Sequence, residues 1–254
     1  MFDAKRVSEE IIEFIRNYYK ENNVKGAVIG ISGGKDSGVV AGLFAKAIGK
    51  ENVTGIWMPC HSNEEDKNNA YLVARTFGFN MIEVDLTNTY DNYVRFYQKL
   101  YPGVTEDELK NANINIKPRL RMATLYYNAA LISGMKKELY IVPGTSNACE
   151  LYVGYFTKGG DNVSDINVLA DLTVDEVIKL GEYIGVPDCV IHKAPNDGLS
   201  GLTDEEKLGV KYEDIGNIIR NKEELVKEDV KQKIYTLNRN NYHKFITPTY
   251  KNEK

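Results

Sequence analysis

A short apolar run, Ala27 to Ile31 (AVIGI), passes straight into Ser32-Gly33-Gly34-Lys35-Asp36-Ser37. A helical pattern carrying Val39, Val40, Leu43, Phe44, Ala47 and Ile48 follows at once. The run suits a strand buried on both faces of a parallel sheet. A glycine-rich turn at the carboxyl end of such a strand, opening a helix, is where open α/β sheets bind ligands. Gly33 and Gly34 let backbone N–H groups approach a ligand closely, Ser32 and Ser37 add hydroxyl donors, and the helix N-terminus favours negative charge. The stretch from Gly30 and Ile31 to Ser37 therefore reads as an anion cradle, with phosphate as the expected tenant. The spacing excludes two familiar phosphate loops. A P-loop needs four residues between its first glycine and the Gly-Lys pair, followed by Ser or Thr. Here three residues separate Gly30 from Gly34-Lys35, and Asp36 follows. The dinucleotide fingerprint G-x-G-x-x-G is not met either.

Asp36 is the informative residue. A carboxylate beside a polyphosphate is repulsive unless a cation lies between them, and Mg²⁺ is usually held by one or two carboxylates plus phosphate oxygens. The loop thus points to phosphate with a divalent cation.

The rest of the chain repeats the strand–helix alternation. Val7, Ile11, Phe14, Ile15 and Tyr18 recur at helical spacing. Val53 to Met58 reads as a second strand, and Ser62 with Glu65 as a capping box for a helix packed by Ala70, Val73, Ala74 and Phe77. Met81 to Val84 reads as a third strand. This order predicts an α/β domain with a parallel sheet. Further on, Ile116, Leu120, Ala123, Tyr127, Ala130 and Leu131 share one helix face. Tyr18 and Tyr127 are expected in the core, and Pro118 belongs in that helix's first turn. Tyr140 to Val142 is a short strand closed by Pro143-Gly144, and Thr157 to Asn167 is a loop. Thr173 and Glu176 cap a helix buried through Val174, Val177, Ile178, Gly181 and Ile184. Lys193 to Asp204 is a second loop, Thr203 and Glu206 restart a helix, and Tyr212 to His243 is charged and helical.

Composition narrows the functional classes. The 254 residues carry a net charge of −4 with a pI near 5.6, so the basic footprint of a nucleic-acid binder is absent. No run approaches the roughly 18 apolar residues of a membrane span. The start, MFDAKRVSEEII, lacks the pattern of a signal peptide. Cys60, Cys149 and Cys189 are scattered, as are His61, His192 and His243, which excludes a disulfide framework and a zinc-type cluster. One cytoplasmic domain over residues 1–254 is expected.

SGGKDS matches the SGGxDS signature of the ATP pyrophosphatase superfamily, and later blocks resemble those of one family within it. Asn115-Ile116-Lys117-Pro118-Arg119-Leu120-Arg121-Met122 is similar to the NIKARxRM block of NAD synthetases. Gly144-Thr145-Ser146-Asn147-Ala148-Cys149-Glu150 resembles their GTxNxSE block. Gly154-Tyr155-Phe156-Thr157-Lys158 with Gly160-Asp161 resembles GYFTKxGDG, followed by Asp165-Ile166. Asp197-Gly198-Leu199 with Thr203-Asp204-Glu205, and His243-Lys244, complete the series in family order.

The resemblance implies a doubly wound parallel sheet of the adenine-nucleotide hydrolase type, Rossmann-like, with helices on both faces. It implies a homodimeric ligase that amidates deamido-NAD with ATP and ammonia, giving NAD, AMP and pyrophosphate in the last step of NAD biosynthesis. No glutaminase domain is expected, so free ammonia or a separate glutaminase supplies the nitrogen. By the same resemblance, Gly30 to Ser37, Thr145, Val174 and Asn196 hold ATP, and Asp36 and Glu150 hold Mg²⁺. Arg119, Arg121, Lys158, Asp165, His243 and Lys244 hold deamido-NAD. Residues two apart on a helix do not face each other, and Arg119 is the one of the two arginines expected on the dinucleotide. Val174 stands where the family often has Lys, Asn196 where it has Ser or Thr, and Leu202 where it has Gln. Ala148-Cys149 replaces a basic-Ser pair. These departures predict weaker ATP affinity. They also keep open a non-catalytic nucleotide-binding protein, beside a tRNA-modifying ligase, which the acidic pI disfavours.

Overall fold

The computed structural model describes residues 2–193 and 203–251. After α1 (Ala4–Glu21), strand β1 (Val24–Gly30) leads into α2 (Lys35–Ile48). Strand β2 (Val53–Trp57), α3 (Glu64–Phe77) and β3 (Asn80–Glu83) follow, then α4 (Thr87–Leu100), α5 (Glu106–Lys136) and β4 (Leu139–Ile141). These strands form a parallel sheet in the order β3-β2-β1-β4. The chain builds outward from β1 through β2 to β3, then crosses back to place β4 on the other side of β1. That reversal puts a switch point between β1 and β4, and the crevice at their carboxyl ends is the ligand position of such sheets.

Alternation along β1 feeds two cores. Ala27, Ile29 and Ile31 join one with α1, α2 and the helices described next, whereas Val28 joins Ile56, Met58, Ala129, Tyr140 and Val142 on the opposite face under α4 and α5. Helices thus cover both faces, as the resemblance implies. Burial of each such branched side chain contributes roughly 1.5–3 kcal/mol. Helix α2 is apolar nearly all round because α1 and α3 flank it as well as the sheet.

Beyond β4, two short strands, β5 (Pro143–Gly144) and β6 (Ile166–Asn167), pair in parallel around α6 (Ala148–Val153). Then come α7 (Val174–Ile184), α8 (Asp188–Ile191), α9 (Asp204–Leu208), α10 (Tyr212–Ile219) and α11 (Glu228–Asn241). Helices α7 and α8 complete the first core. A third core joins α6, the start of α7, α10 and α11 through Cys149, Val153, Val174, Ile215 and Ile234.

The structure departs from the sequence reading at several points. Phe14 lies exposed on α1, and Tyr19 is buried where Tyr18 is only half-buried. The cap of α3 is Asn63, whose Oδ1 accepts from Asp66 N at 2.7 Å, while Ser62 Oγ accepts from Cys60 N. Pro143-Gly144 is itself a strand, and its partner β6 lies within the expected loop. Helix α4 has no buried residue and was not foreseen. Pro118 lies deep inside the 31-residue α5, not in its first turn. The polar stretch from Glu106 to Asn115 has no apolar period to betray it. Its start is fixed instead by a capping box in which Thr105 Oγ1 accepts from Glu108 N and Glu108 Oε2 accepts from Thr105 N. Of the face of α5 expected in the core, Leu120 packs against the second core and Ile116 is half-buried, but the rest is outward. Tyr127 is 70% exposed, and Ala123, Ala130 and Leu131 are exposed with it, whereas Leu125, Tyr126, Ala129 and Ile132 meet the sheet. The capping boxes of α7 and α9 are as expected: Thr173 N and Thr203 N donate to Glu176 Oε2 and Glu206 Oε2 at 2.9 and 2.7 Å.

Candidate active site

A cavity of about 620 Å³ opens at the carboxyl ends of β1 and β4, floored by the loop after β1 and walled by α5, α6 and the segment before β6. The loop holds its shape by itself. Ser37 Oγ accepts from Ser32 N at 3.1 Å and donates to the Gly34 carbonyl at 3.1 Å, and Ser32 Oγ accepts from Gly34 N at 3.2 Å. Gly33 has φ +80°, and a Cβ there would lie 2.3 Å from the Asp66 carbonyl oxygen. Only glycine fits at that turn.

Of the residues assigned to ATP, Gly30, Ile31, Ser32, Gly34, Lys35, Asp36 and Thr145 line the cavity, and Glu150 joins them. Ser37 and Gly33 shape the loop from behind. Val174 is not part of this wall; it is buried in the third core with Cys149. Asn196, like Asp197, Gly198, Leu199 and Leu202, lies outside the described residues.

Asp36 and Glu150 come together through Asn147, the cap of α6. Asn147 Nδ2 donates to Asp36 Oδ1 at 3.2 Å, and its backbone N–H donates to Glu150 Oε2 at 3.2 Å. Its own Oδ1 accepts from Glu150 N at 3.1 Å. The deep position of Glu150, with the Asp36 charge beside it, pushes its carboxyl up to about 8. Negative charge gathered at two neighbouring carboxylates, with one lysine, Lys35, against Asp36, is what a hard divalent cation relieves further. Two carboxylates completed by phosphate oxygens and water match the donor set of Mg²⁺. Among the described residues, no cluster of three or more His, Cys, Asp and Glu side chains forms a metal cage.

Of the residues assigned to deamido-NAD, Arg121 and Lys244 line the cavity. Arg121 donates from Nε to the Met58 carbonyl at 3.3 Å, and burial pulls its pKa down. Lys244 donates to the carbonyls of Gly154 and Phe156 at 2.7 and 3.0 Å. Arg119, the expected arginine, lies outside, donating from Nε and Nη2 to the Lys158 carbonyl at 3.3 and 3.2 Å. Helical geometry lets only one of the two face the cavity, since positions two apart point in nearly opposite directions, and the packing of α5 makes it Arg121. Lys158, Asp165 and His243 also stand away from the cavity. Lys158 Nζ donates to the His243 carbonyl at 2.9 Å. Asp165 Oδ2 accepts from Val142 N at 2.7 Å, and its Oδ1 accepts from the hydroxyl of Tyr126, whose pKa burial pushes up to about 12.

Sequence reasoning missed several polar groups in the wall, among them Lys117, Lys193, Asp161 and Asp204. Lys117 Nζ donates to the Cys60 carbonyl at 3.2 Å and lies 4.9 Å from the Tyr90 ring centroid. Its spacing of four from Arg121 places both on one helix face, a signal present in the sequence. Lys193 Nζ meets Asp66 Oδ1 at 2.5 Å, a long-range pairing with no local signal. Cys60 is buried in the wall, and burial raises its thiol pKa, in keeping with an unreactive residue.

A strand–loop–helix anion cradle at the switch point of a parallel sheet, facing a carboxylate pair, defines a nucleotide-binding α/β protein of the adenine-nucleotide hydrolase class. The sequence matches the NAD synthase family over residues 7–253. The chain belongs to that family. It is 41% identical to the NH(3)-dependent NAD(+) synthetase of Carboxydothermus hydrogenoformans over 84% of each chain. Among solved structures, the NMN synthetase of Francisella tularensis superposes on the whole of both chains with a TM-score of 0.88 at 30% identity. An NH3-dependent NAD synthetase of Campylobacter jejuni, in complex with the nitrate ion, gives 0.78 at 25% identity, covering 98% of this chain and all of that one.

Proposed function

We propose that this chain is an ammonia-dependent NAD synthetase, a ligase that forms a carbon–nitrogen amide bond from deamido-NAD, ATP and ammonia. The observation that carries the reading is the pairing of Asp36 and Glu150 across one cavity beside the glycine loop. The nicotinate carboxylate is a poor electrophile because its oxide is a poor leaving group. Its oxygen attacks the α-phosphorus of ATP and expels pyrophosphate. Ammonia then adds to the acyl carbon, AMP leaves with the former carboxylate oxygen, and the nitrogen releases a proton.

The chain's part is to gather anions and hold them in line. The loop N–H groups and the α2 N-terminus take phosphate oxygens. Arg121, Lys117 and Lys244 give the cavity positive charge against the two nucleotides. Asp36 and Glu150 would hold Mg²⁺, which when bound shields the phosphates and stabilises the departing pyrophosphate. Arg119, Lys158 and His243 then form an outer rim on one another's backbone, placed to steady the wall or to meet the distal part of a dinucleotide.

We take residues 1–254 as one domain, and the active unit as a homodimer in the cytoplasm. The outward apolar faces of α4 and α5, with Phe96, Tyr127 and Leu131 exposed and Met135 75% exposed, support the homodimer. No helix among the described residues is long and apolar enough to cross a membrane.

The higher TM-score of the NMN synthetase favours a second reading, the same amidation on nicotinate mononucleotide. The two acids share the reacting carboxylate and differ in the distal adenylate. The test incubates the protein with ATP, Mg²⁺, ammonium and either acid, and follows the amide and AMP. Equal amide and AMP from deamido-NAD, each dependent on every component, is the expected result, and Asp36→Asn should abolish it with the fold intact. Preference for the mononucleotide would select the second reading. AMP without either amide would reject both.

A further inference from the structure

Lys35 is a lysine turned inward. It occupies the unspecified position of SGGxDS, at the first turn of α2, and is only 6% exposed. Lysine is almost never buried this far unless it is paired. Its Nζ lies 2.8 Å from Asp36 Oδ2 and 5.9 Å from the centroid of the Tyr212 ring. Asp36 thereby has both oxygens engaged, Oδ2 by Lys35 and Oδ1 by Asn147. Burial works to lower the Lys35 pKa, yet the charges of Asp36, Glu150 and Asp204 together raise it. All four groups line the cavity.

We propose that Lys35 is a resident counter-ion for the carboxylate pair, holding on Asp36 the place a divalent cation takes, so that metal and nucleotide load by exchange. The inference rests on reading Asp36 and Glu150 as the metal-holding pair. A small, hard cation and an ammonium compete for the same oxygens. Without nucleotide the ammonium stays on Asp36, with the Glu150 and Asp204 charges acting in the same direction, and metal binding is weak. With ATP in the loop, a phosphate oxygen gives Lys35 a second partner, Asp36 is released, and metal enters. Metal and nucleotide then reinforce each other's binding, a coupling that is reciprocal by thermodynamic necessity. Lys35 in this role is a positioning residue, offsetting the charge of the pair until the reactants arrive.

The test uses the full chain without nucleotide. Its thermal midpoint is followed against millimolar MgCl₂ at constant ionic strength for the wild type, Lys35→Met and Lys35→Arg. Lys35→Met should start lower and rise by about 3–6 °C with Mg²⁺. The wild type and the charge-retaining Lys35→Arg should move by less than about 1 °C. A rise in Lys35→Met no larger than in the wild type overturns the proposal, as does an equal rise in Lys35→Arg. So does a Lys35→Met chain that stays unfolded at every Mg²⁺ concentration, since metal should replace the missing charge. Failure of the amidation reading would appear in wild-type NAD formation, which this measurement does not use.

Discussion

Asn147 donates from Nδ2 to Asp36 Oδ1 at 3.2 Å, tying the cap of α6 to the first turn of α2 across 111 residues of sequence. One carboxamide does two tasks, because its oxygen caps α6 at Glu150 while its nitrogen fixes the facing acid. The separation of these tasks is testable. Serine caps a helix about as well as asparagine but is too short to reach Asp36. Asn147→Ser should lower stability by no more than about 1 kcal/mol, yet lower kcat/KM about tenfold through the freed Asp36 carboxylate. Thermal melts and steady-state kinetics read the two effects apart. Equal loss in both would make Asn147 a cap and nothing more.

Gly33 is the tightest point of the loop. With φ +80° and the Asp66 carbonyl 2.3 Å from any Cβ, Gly33→Ala must push the loop away from α3. A displacement of this kind costs about 100-fold when it shifts reacting groups by an ångström. The expected loss is of that size in kcat/KM for ATP, measured at saturating second substrate. A variant with normal ATP kinetics would mean the loop does not hold the phosphates.

Away from the cavity, Arg220 clamps α7 to the end of α10. Its Nη2 meets Glu176 Oε2 at 2.6 Å and also donates to the Asp171 carbonyl. Glu176 is only 15% exposed. Burial alone would raise its pKa, but the bonds from Arg220 and Thr173 outweigh it and hold the carboxyl below its ordinary 4.5. A folded pKa below the unfolded one stabilises the protein above the unfolded value, and that contribution disappears as pH falls through the folded value. Arg220→Gln should therefore lower stability by about 1.5–3 kcal/mol at neutral pH. The gap from wild type should narrow as pH drops below 4.5. A gap independent of pH in chemical denaturation would assign the effect to packing.

The outward face of α5 yields a prediction about assembly. Tyr127→Glu places a charge at the centre of that exposed apolar stripe. It should dissociate the dimer in sedimentation experiments while leaving the melting of the protomer nearly unchanged, because exposed positions change stability by about 0.5 kcal/mol or less. A Tyr127→Glu protein that remains dimeric moves the interface elsewhere.

How much of this was legible in the chain depends on the range of the interaction. The strand β1, the loop and α2 follow from adjacent residues, since burial of AVIGI and the freedom of Gly33 are local facts. The caps at Thr173 and Thr203 lie three residues from their partners and were read correctly. The first turns of α5 escaped notice because a polar stretch leaves no apolar period, whereas α4 does carry one, with Tyr90, Val94 and Tyr97 half-buried on one face, that went unread. The inverted face of α5 has the opposite origin, an apolar period on the side away from the sheet. Periodicity reports that a stripe is apolar, not whether the sheet lies against it.

The sequence by itself determined the class of fold, the anion loop with its acid and the family, because each is written in contiguous residues whose chemistry acts at short range. Tertiary structure alone decided that Arg121 and not Arg119 enters the cavity, that Val174 is core, and that Lys193 meets Asp66. It also decided that Lys35 turns inward onto Asp36 among Glu150 and Asp204. These outcomes depend on which distant segments the sheet's reversal at β1 brings within a few ångströms of one another. Coulomb energy in a partly dry cavity is set by that separation, and no spacing along the chain encodes it.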